Sequence, residues 1–420
     1  MNNYNPVGAI YLLPFTIFFL ITGLSLLQPS TNDNQQLEGS VINQIFLSLA
    51  YGLAFILLLR RRDLLGYFLA RAYPLLGLLL FILCSWLWSA FPGSVLISFA
   101  HQLGTLFIAM TTVMLLLDDK DKFFKLLLTL LFFYLCATVA ISVILPHVGQ
   151  MPSTRWNRGG LWRGMTTHSN TLGYLCLIST WIATTSYFLI VKRHKLTTTI
   201  IFLVVMLAFY CLYRTNSMTS TIISLALLLS AFWFALITTS SGSVKTVKII
   251  FFIFFILIMI ATAVVINPDL LSVKTFFKII GRNETLTGRT SLWEVGLKGI
   301  SERPYLGWSF DNLRSFFKRY SLGYGQLHNG YLDLMVRGGL ASLLLLMVTI
   351  FQLTVSIIKL RYSEDKRYYF ILSGFVAILI HNITEASFLR NTHPLWLMFL
   401  ILYFYGFACI YQQNISKVSH

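Results

Sequence analysis

Along most of this chain, stretches of roughly 20 residues pass without a single charge, and lysines and arginines fill many of the gaps between them. A helix rises ~1.5 Å per residue, so each stretch matches a ~30 Å hydrocarbon layer, and in lipid only a helix or a closed barrel satisfies its backbone. About 12 stretches meet that rule, near 6–27, 41–59, 73–90, 94–117, 123–145, 169–191, 196–213, 219–238, 247–266, 330–358, 368–386 and 393–411. The expected fold is therefore all-α: one polytopic transmembrane domain over 1–420, with a single long outer loop, 267–329, that contains short helices. Composition agrees. Of 420 residues, 56% are hydrophobic and 11% charged, where a soluble domain has about 25% charged. A water-soluble enzyme is excluded.

Sidedness follows from the short connections. Arg60, Arg61, Arg62 and Arg71 follow the second stretch, and Lys120, Lys122 and Lys125 follow the fourth. Lys192, Arg193 and Lys195 follow the sixth, Lys245 and Lys248 the eighth, and Lys359, Arg361, Lys366 and Arg367 the tenth. Every even exit is basic, which assigns these loops and both termini to the cytoplasm. The loop with Asp33 and Glu38, and the long stretch 267–329, then lie outside.

The net charge is +17, from 32 Lys and Arg against 15 Asp and Glu. In a soluble protein that excess would suggest nucleic acid; here the cations sit around membrane ends, and no nucleic-acid partner is expected. With Lys417, the cytoplasmic segments hold 17 of the 32 cations, which leaves 15 outside. Ten of those run from Lys274 to Arg337, and Arg155, Arg158 and Arg163 precede the stretch 169–191. Cations that topology does not need fit an anionic ligand at the outer surface. The five cysteines, Cys84, Cys136, Cys176, Cys211 and Cys409, form no metal or redox spacing and read as small buried hydrophobes. The first apolar run lacks a basic leader segment and is expected to stay as a span.

Within the outer loop, Leu270–Ile280 places Lys274 and Lys278 on one side of an interfacial helix. Thr287 or Thr290 would cap a helix running to about Glu302, with Arg289 beside the free amides of its first turn. Pro304 ends that helix, and Tyr305-Leu306-Gly307-Trp308 turns. The uninterrupted apolar part of the tenth stretch is Gly338–Ile358, long enough to span, so His328–Arg337 should project as a helical mouth. Asp333 and Arg337 are an i,i+4 pair with a structural role. His328 is the candidate base, because a neutral imidazole can take a proton from an attacking hydroxyl. Glu385 stands nearly in the membrane, where an unpaired carboxylate is costly; it should pair with an arginine or orient a histidine. Arg214 lies in a short polar break on the same side. The outer acids Asp269, Glu284, Glu294, Glu302 and Asp311 are scattered, with no DxD motif, so no metal site is expected. The sequons at Asn283, Asn382 and Asn414 are read as chance matches.

Several motifs, in order, resemble the bacterial O-antigen ligase and polymerase superfamily of integral-membrane glycosyltransferases. Gly288-Arg289-Thr290 with Trp293 comes first, then Arg303-Pro304-Tyr305-Leu306-Gly307-Trp308. His328-Asn329-Gly330-Tyr331-Leu332-Asp333 and Gly338-Gly339-Leu340 follow. Arg163-Gly164 with His168, Asn170 and Gly173, Trp88-Ser89-Ala90 with Pro92, and Thr384-Glu385 agree as well. The resemblance implies transfer of a glycan from undecaprenyl diphosphate to a sugar hydroxyl at the periplasmic face of the inner membrane. It implies inversion at the anomeric carbon, and neither a metal, a cofactor nor a nucleotide sugar. By motif, Arg289 and Arg163 would bind the donor diphosphate and His328 would face the acceptor hydroxyl. Arg214, Trp293, Asn329, Tyr331, Glu385, His168 and Asn170 would line the substrate site.

The segments at His328 and at Thr384-Glu385-Ala386-Ser387-Phe388-Leu389-Arg390 look closer to exopolysaccharide polymerases. That favours a polymerase, with a chain-length regulator as a partner to consider, over a ligase that places the glycan on lipid A-core. A flippase for the same lipid is the alternative of another class. It would need ionisable residues at mid-depth in several helices, whereas this sequence gathers them at one surface.

Overall fold

A computed structural model describes residues 8–23, 41–153, 159–238, 289–323, 325–362 and 365–418. The expected span 247–266, the interfacial helix with Lys274 and Lys278, the cap Thr287, and Arg155 and Arg158 lie outside the described residues.

The remaining expected stretches are helices: α1 Leu13–Gly23, α2 Val41–Leu59, α4 Tyr73–Cys84, α5 Pro92–Asp118, α6 Lys120–Ile144, α8 Ser169–Leu189, α9 Lys195–Thr215 and α10 Met218–Thr238. Beyond 288 come α13 Gly330–Tyr362, α14 Arg367–Thr384 and α15 Pro394–Val418, and the short helices α3 Arg62–Arg71, α7 Pro146–Gly149, α11 Arg289–Glu302 and α12 Arg314–Arg319 complete the set. Among the described residues, eight helices are individually long and apolar enough to cross a membrane, and β structure is limited to one bridge between Gln150 and Trp162. The all-α polytopic architecture is as the sequence implies. Helix α3 was not foreseen. It carries the basic exit of α2 and meets α4 at a 77° bend, where Pro74 stands in the first turn of α4 and has no N–H to give the previous helix.

Helices α8 and α15 are the most enclosed. Without a hydrophobic drive between helices in lipid, close approach depends on small residues. Gly173 of α8 faces Ser217, and Gly374 of α14 faces the Trp181 indole, so a Cβ at either would overlap its neighbour. Trp181 stacks on Phe370 with ring centroids 4.8 Å apart. The many hydroxyls of α8 are silenced internally: Thr180, Thr185 and Ser186 bond the carbonyls of Cys176, Trp181 and Ile182.

The basic exits meet at one end of the bundle. Arg61 pairs with Asp118 at 3.1 Å, Asp121 accepts from the Val191 and Lys192 amides, and Arg367 bonds Gln412 at 2.6 Å. At the opposite end, α11, α12 and the first turns of α13 close a second small core of Leu292, Trp308, Leu313, Phe316, Phe317, Leu327 and Val336.

Three expectations need correction. Helix α13 is not continuous: Gly339 has φ 58, ψ −160, and the segment after α11 docks against the break. Trp308 N and Ser309 N donate to Val336 O and Arg337 O (2.8 and 2.9 Å), while Leu340 N and Ala341 N donate to Pro304 O and Tyr305 O (2.8 and 3.1 Å). A Cβ on Gly339 would stand 2.4 Å from the Tyr305 backbone, and one on Gly307 2.5 Å from that of Arg337. Two motifs of the sequence, Pro304–Trp308 and the Gly338-Gly339 pair, are therefore two halves of one joint. Secondly, Thr290 is no cap, since it lies inside α11, which begins at Arg289. Thirdly, Cys84 is exposed and Cys136 half-buried, as the outward faces of single spans can be when lipid rather than protein surrounds them.

Candidate active site

The site lies at the end of the bundle opposite the basic exits, where α13 begins and α14 ends. Glu385 caps α14, its N–H donating to His381 O at 3.0 Å. Its own carbonyl accepts from Gly330 N at 3.1 Å, which pins the start of α13 to the end of α14. Only glycine fits at 330, because a Cβ there would lie 1.9 Å from Asn382 Oδ1. Asn329 secures the same join: its Oδ1 accepts from the Tyr331 and Leu332 amides, and its Nδ2 donates to Ile383 O at 3.0 Å.

On this frame the Glu385 carboxylate gathers three partners. Arg289 Nη2 donates to Oε1 at 2.7 Å, Asn170 Nδ2 donates to the same oxygen at 3.0 Å, and His328 Nδ1 stands 3.0 Å from Oε2. Arg289 Nη1 also donates to Thr384 O, and the Thr384 hydroxyl meets that of Thr219 at 2.7 Å, which ties in α10. Burial would raise the Glu385 carboxyl, but the His328 hydrogen bond and the positive charge of Arg289 outweigh it and hold its pKa down to about 2. An ionised carboxylate has no hydrogen to offer, so the His328 Nδ1 hydrogen points at Glu385. Gln326 Nε2, 3.3 Å from the same nitrogen, is the weaker contact. With Nδ1 as donor, Nε2 of the neutral ring keeps its lone pair. The His328 side chain is 28% exposed, against 13% for Glu385 and 9% for Arg289. The imidazole is thus the open member of a closed cluster.

His168 caps α8, its Nδ1 accepting from Asn170 N at 3.1 Å. Burial lowers the pKa of its ring, as does the neighbouring His328, against the pull of Glu385. Trp293 Nε1 donates to Leu327 O at 2.8 Å and Tyr331 Oη to Leu379 O at 3.1 Å, so both hold the backbone around His328.

Arg163 and Arg214 form a second group. Arg214 lies 4.9 Å over the Trp162 ring, and Trp162 N donates to Arg214 O at 3.0 Å. Arg163 Nε donates to Val148 O at 2.8 Å, and the residue is half-buried. Thr166 Oγ1 reaches both Arg163 O and His168 O, at 2.7 and 2.9 Å, and so bridges the two groups. Among the described residues no hydrogen bond or ion pair joins Arg163 or Arg214 to Glu385, Arg289 or His328. Of the residues singled out from the sequence, Arg289, His328, Glu385, Asn170 and His168 stand together, while Arg163 and Arg214 belong to the second group.

One residue went unnoticed. Arg390 pairs with Asp333 at 3.5 Å and donates to Gly325 O at 2.7 Å, which binds the loop after α14 to the loop before α13. It is the last outer cation, and its isolation was the one signal available.

The backbone here is unusual as well. Among the described residues, every non-glycine with a left-handed φ lies at this end: Asn216, Ser309, Asn312, Leu313, Ser321, His328, Leu389 and Thr392. His328 itself has φ 50.

Residues 177–347 match the family model Wzy_C, described as O-antigen ligase. The match runs from within α8 to the part of α13 beyond the break at Gly339; Arg163, His168, Asn170 and Glu385 lie outside it. No curated protein matches the chain. The match, on an all-α polytopic fold, carries the motifs of Arg289 and His328 and makes residues 177–347 of the chain similar to the O-antigen ligase family.

Proposed function

We propose that this protein is a glycosyltransferase of the bacterial inner membrane, working at the periplasmic face, and that it joins glycans carried on undecaprenyl diphosphate. The observation that carries this reading is the contact of His328 with an ionised Glu385, itself clasped by Arg289. In the proposed step the acceptor hydroxyl gives its proton to His328 Nε2 as its oxygen bonds to the anomeric carbon. The bond from that carbon to the diphosphate oxygen breaks on the opposite face, and configuration inverts. Glu385 keeps the imidazole in the accepting tautomer and stabilises the imidazolium that forms.

The departing diphosphate carries negative charge, for which fixed guanidinium groups in a water-poor site are effective partners. Among the described residues Arg163 is hydrogen-bonded through Nε alone and the Arg214 guanidinium meets only the Trp162 ring, so these are the freer cations. Arg289 has given two N–H groups to Glu385 and Thr384 and contributes mainly by fixing the carboxylate. The membrane-side setting supports a polyprenyl donor: a groove of about 320 Å³ between α10 and α14, lined by Ile223, Leu227, Leu372, Val376 and Ile380, leads away from the Thr219–Thr384 contact. The basic end of the bundle supports a cytoplasmic placement of both termini.

Polymerase is the preferred activity, on the likeness of the segments around His328 and Glu385 to exopolysaccharide polymerases. The test is transfer by the purified, reconstituted protein with lipid-linked repeat units, with and without lipid A-core. Longer lipid-linked chains without core support a polymerase; glycan joined to core makes it a ligase; no transfer under either condition rejects the reading.

A further inference from the structure

A second cavity opens at the same end of the bundle. Its volume is about 490 Å³, and Gln44, Phe91, Ser94, Asn312, Arg314 and Asn391 are prominent in its wall, which is the size range of small-ligand sites. Four elements build it: the start of α2, the start of α5, the segment leading into α12, and the loop after α14, which begins at Glu385. Asn312 and Arg314 come from the loop and helix packed on the joint at Gly339. Asn391 adjoins Arg390, which bonds Gly325 and Asp333. From Glu385 to Asn391 there are six residues, and a fully extended chain of that length reaches at most about 22 Å. The cavity is therefore within reach of an oligosaccharide whose end is at His328.

Its chemistry differs from that of the candidate active site. Amides and hydroxyls dominate, and each amide offers donors and acceptors together. They are held in place: Asn391 Nδ2 donates to Ser98 Oγ at 2.9 Å, Gln102 Nε2 reaches Asn391 Oδ1 at 3.3 Å, and Arg314 Nη1 donates to Ser94 Oγ at 2.9 Å. One cation, already hydrogen-bonded, is a poor match for a diphosphate. A row of fixed neutral donors and acceptors beside the Phe91 ring suits a polyhydroxylated ligand. Asn312 and Leu313, with φ 61 and 66, and Leu389 and Thr392, with φ 49 and 54, hold the two loops in a costly backbone state on either side.

We propose that this cavity is a saccharide subsite, which holds sugar units of the acceptor glycan away from the reacting hydroxyl. The proposal rests on the glycosyltransferase reading above and adds to it a second point of glycan contact. Two substitutions probe it without disturbing the fold. Gly93 lines the cavity and a Cβ there meets nothing within 4 Å, so Gly93→Trp fills the space. Asn312→Gly removes an amide at a left-handed position that glycine adopts freely. Gly52→Trp on α2, where a Cβ also meets nothing, is the control of equal bulk.

The experiment uses the full-length protein in nanodiscs and, as probe, the oligosaccharide released by mild acid from the source strain's lipid-linked repeat. Saturation-transfer NMR reads binding, and the transfer assay reads KM and kcat for the acceptor. Gly93→Trp should lose the saturation-transfer signal and raise acceptor KM by about tenfold or more with kcat little changed, and Asn312→Gly should raise KM several-fold, the pattern of lost uniform binding. Wild-type signal and KM in Gly93→Trp, with transfer intact, would overturn the subsite and leave the transferase reading standing. Oligosaccharide binding that Gly93→Trp abolishes, in a protein that transfers nothing, would keep the subsite and remove the transferase reading. Absence of both binding and transfer in the wild type would overturn both.

Discussion

Two carboxylates at the same end of the bundle are each met by arginine, and they do different work. Asp333 is fully buried, paired with Arg337 at 2.8 Å and Arg390 at 3.5 Å. Arg337 is 4% exposed and spends its terminal nitrogens on Leu389 O and Phe388 O, at 2.8 and 2.7 Å. The Asp333–Arg337 pair faces only protein, and with Arg390 it staples the loops before α13 and after α14 to each other. Glu385, a short way along the same loop, has a partner that reaches the surface and can exchange a proton. Charge and geometry are similar in the two. Access, together with one imidazole, separates a fastening from a site of chemistry.

The comparison can be broken most directly at His328. His328→Ala should lower the transfer rate of the purified enzyme by about 10²–10⁴-fold, the usual worth of a general base, with its melting temperature close to wild type. Turnover near the wild-type value would put His328 outside the reaction. Asp333→Ala should show the opposite profile: an unpaired, buried Arg337 costs roughly 3–5 kcal/mol, read as a large drop in thermal stability in detergent. Unchanged melting would mean that the buried cluster staples nothing.

Arg289→Lys sharpens the contrast at intermediate size. An ammonium cannot reach Glu385 Oε1 and Thr384 O with the same planar fork, so transfer should fall by about tenfold or more. Full activity would show that charge alone suffices at 289.

Acid titration tests the Glu385 cluster. The Glu385 pKa is lowered on folding from its ordinary 4.5 to about 2. Its contribution is therefore complete above about pH 4.5 and is lost as pH falls toward 2. Glu385→Gln should flatten the stability profile in that window; parallel wild-type and variant curves would contradict it. The smallest effect is expected for Asn170→Ala, which removes one hydrogen bond to Glu385, worth about 1.5–3 kcal/mol when the acceptor is charged. A severalfold fall in kcat would register it, and none would show that Arg289 alone holds the carboxylate.

What the sequence disclosed followed from one-dimensional rules. Uncharged length located most of the described spans to within a few residues, because lipid leaves the backbone few alternatives. The partners of Glu385 were legible because a carboxylate so near the hydrocarbon needs them. The Asp333–Arg337 pair was legible because its spacing is that of one helical turn. What stayed hidden depends on contacts between distant segments. The joint of Pro304–Trp308 with Gly339 is made of main-chain hydrogen bonds, which no side-chain pattern records. Arg390 finds Asp333 across a gap of 57 residues, and Arg289 divides its guanidinium between a carboxylate and a carbonyl.

The gathering of left-handed residues at one end has a practical corollary. Each of them holds free energy that a relaxed backbone would release, so this end is where hardening the protein should be easiest. Glycine at Asn312 or Ser321 is the simplest such change. A thermostability screen should draw its hits from this end, and those closest to His328 should come with slower turnover, so that the map of stabilising positions doubles as an outline of the working surface.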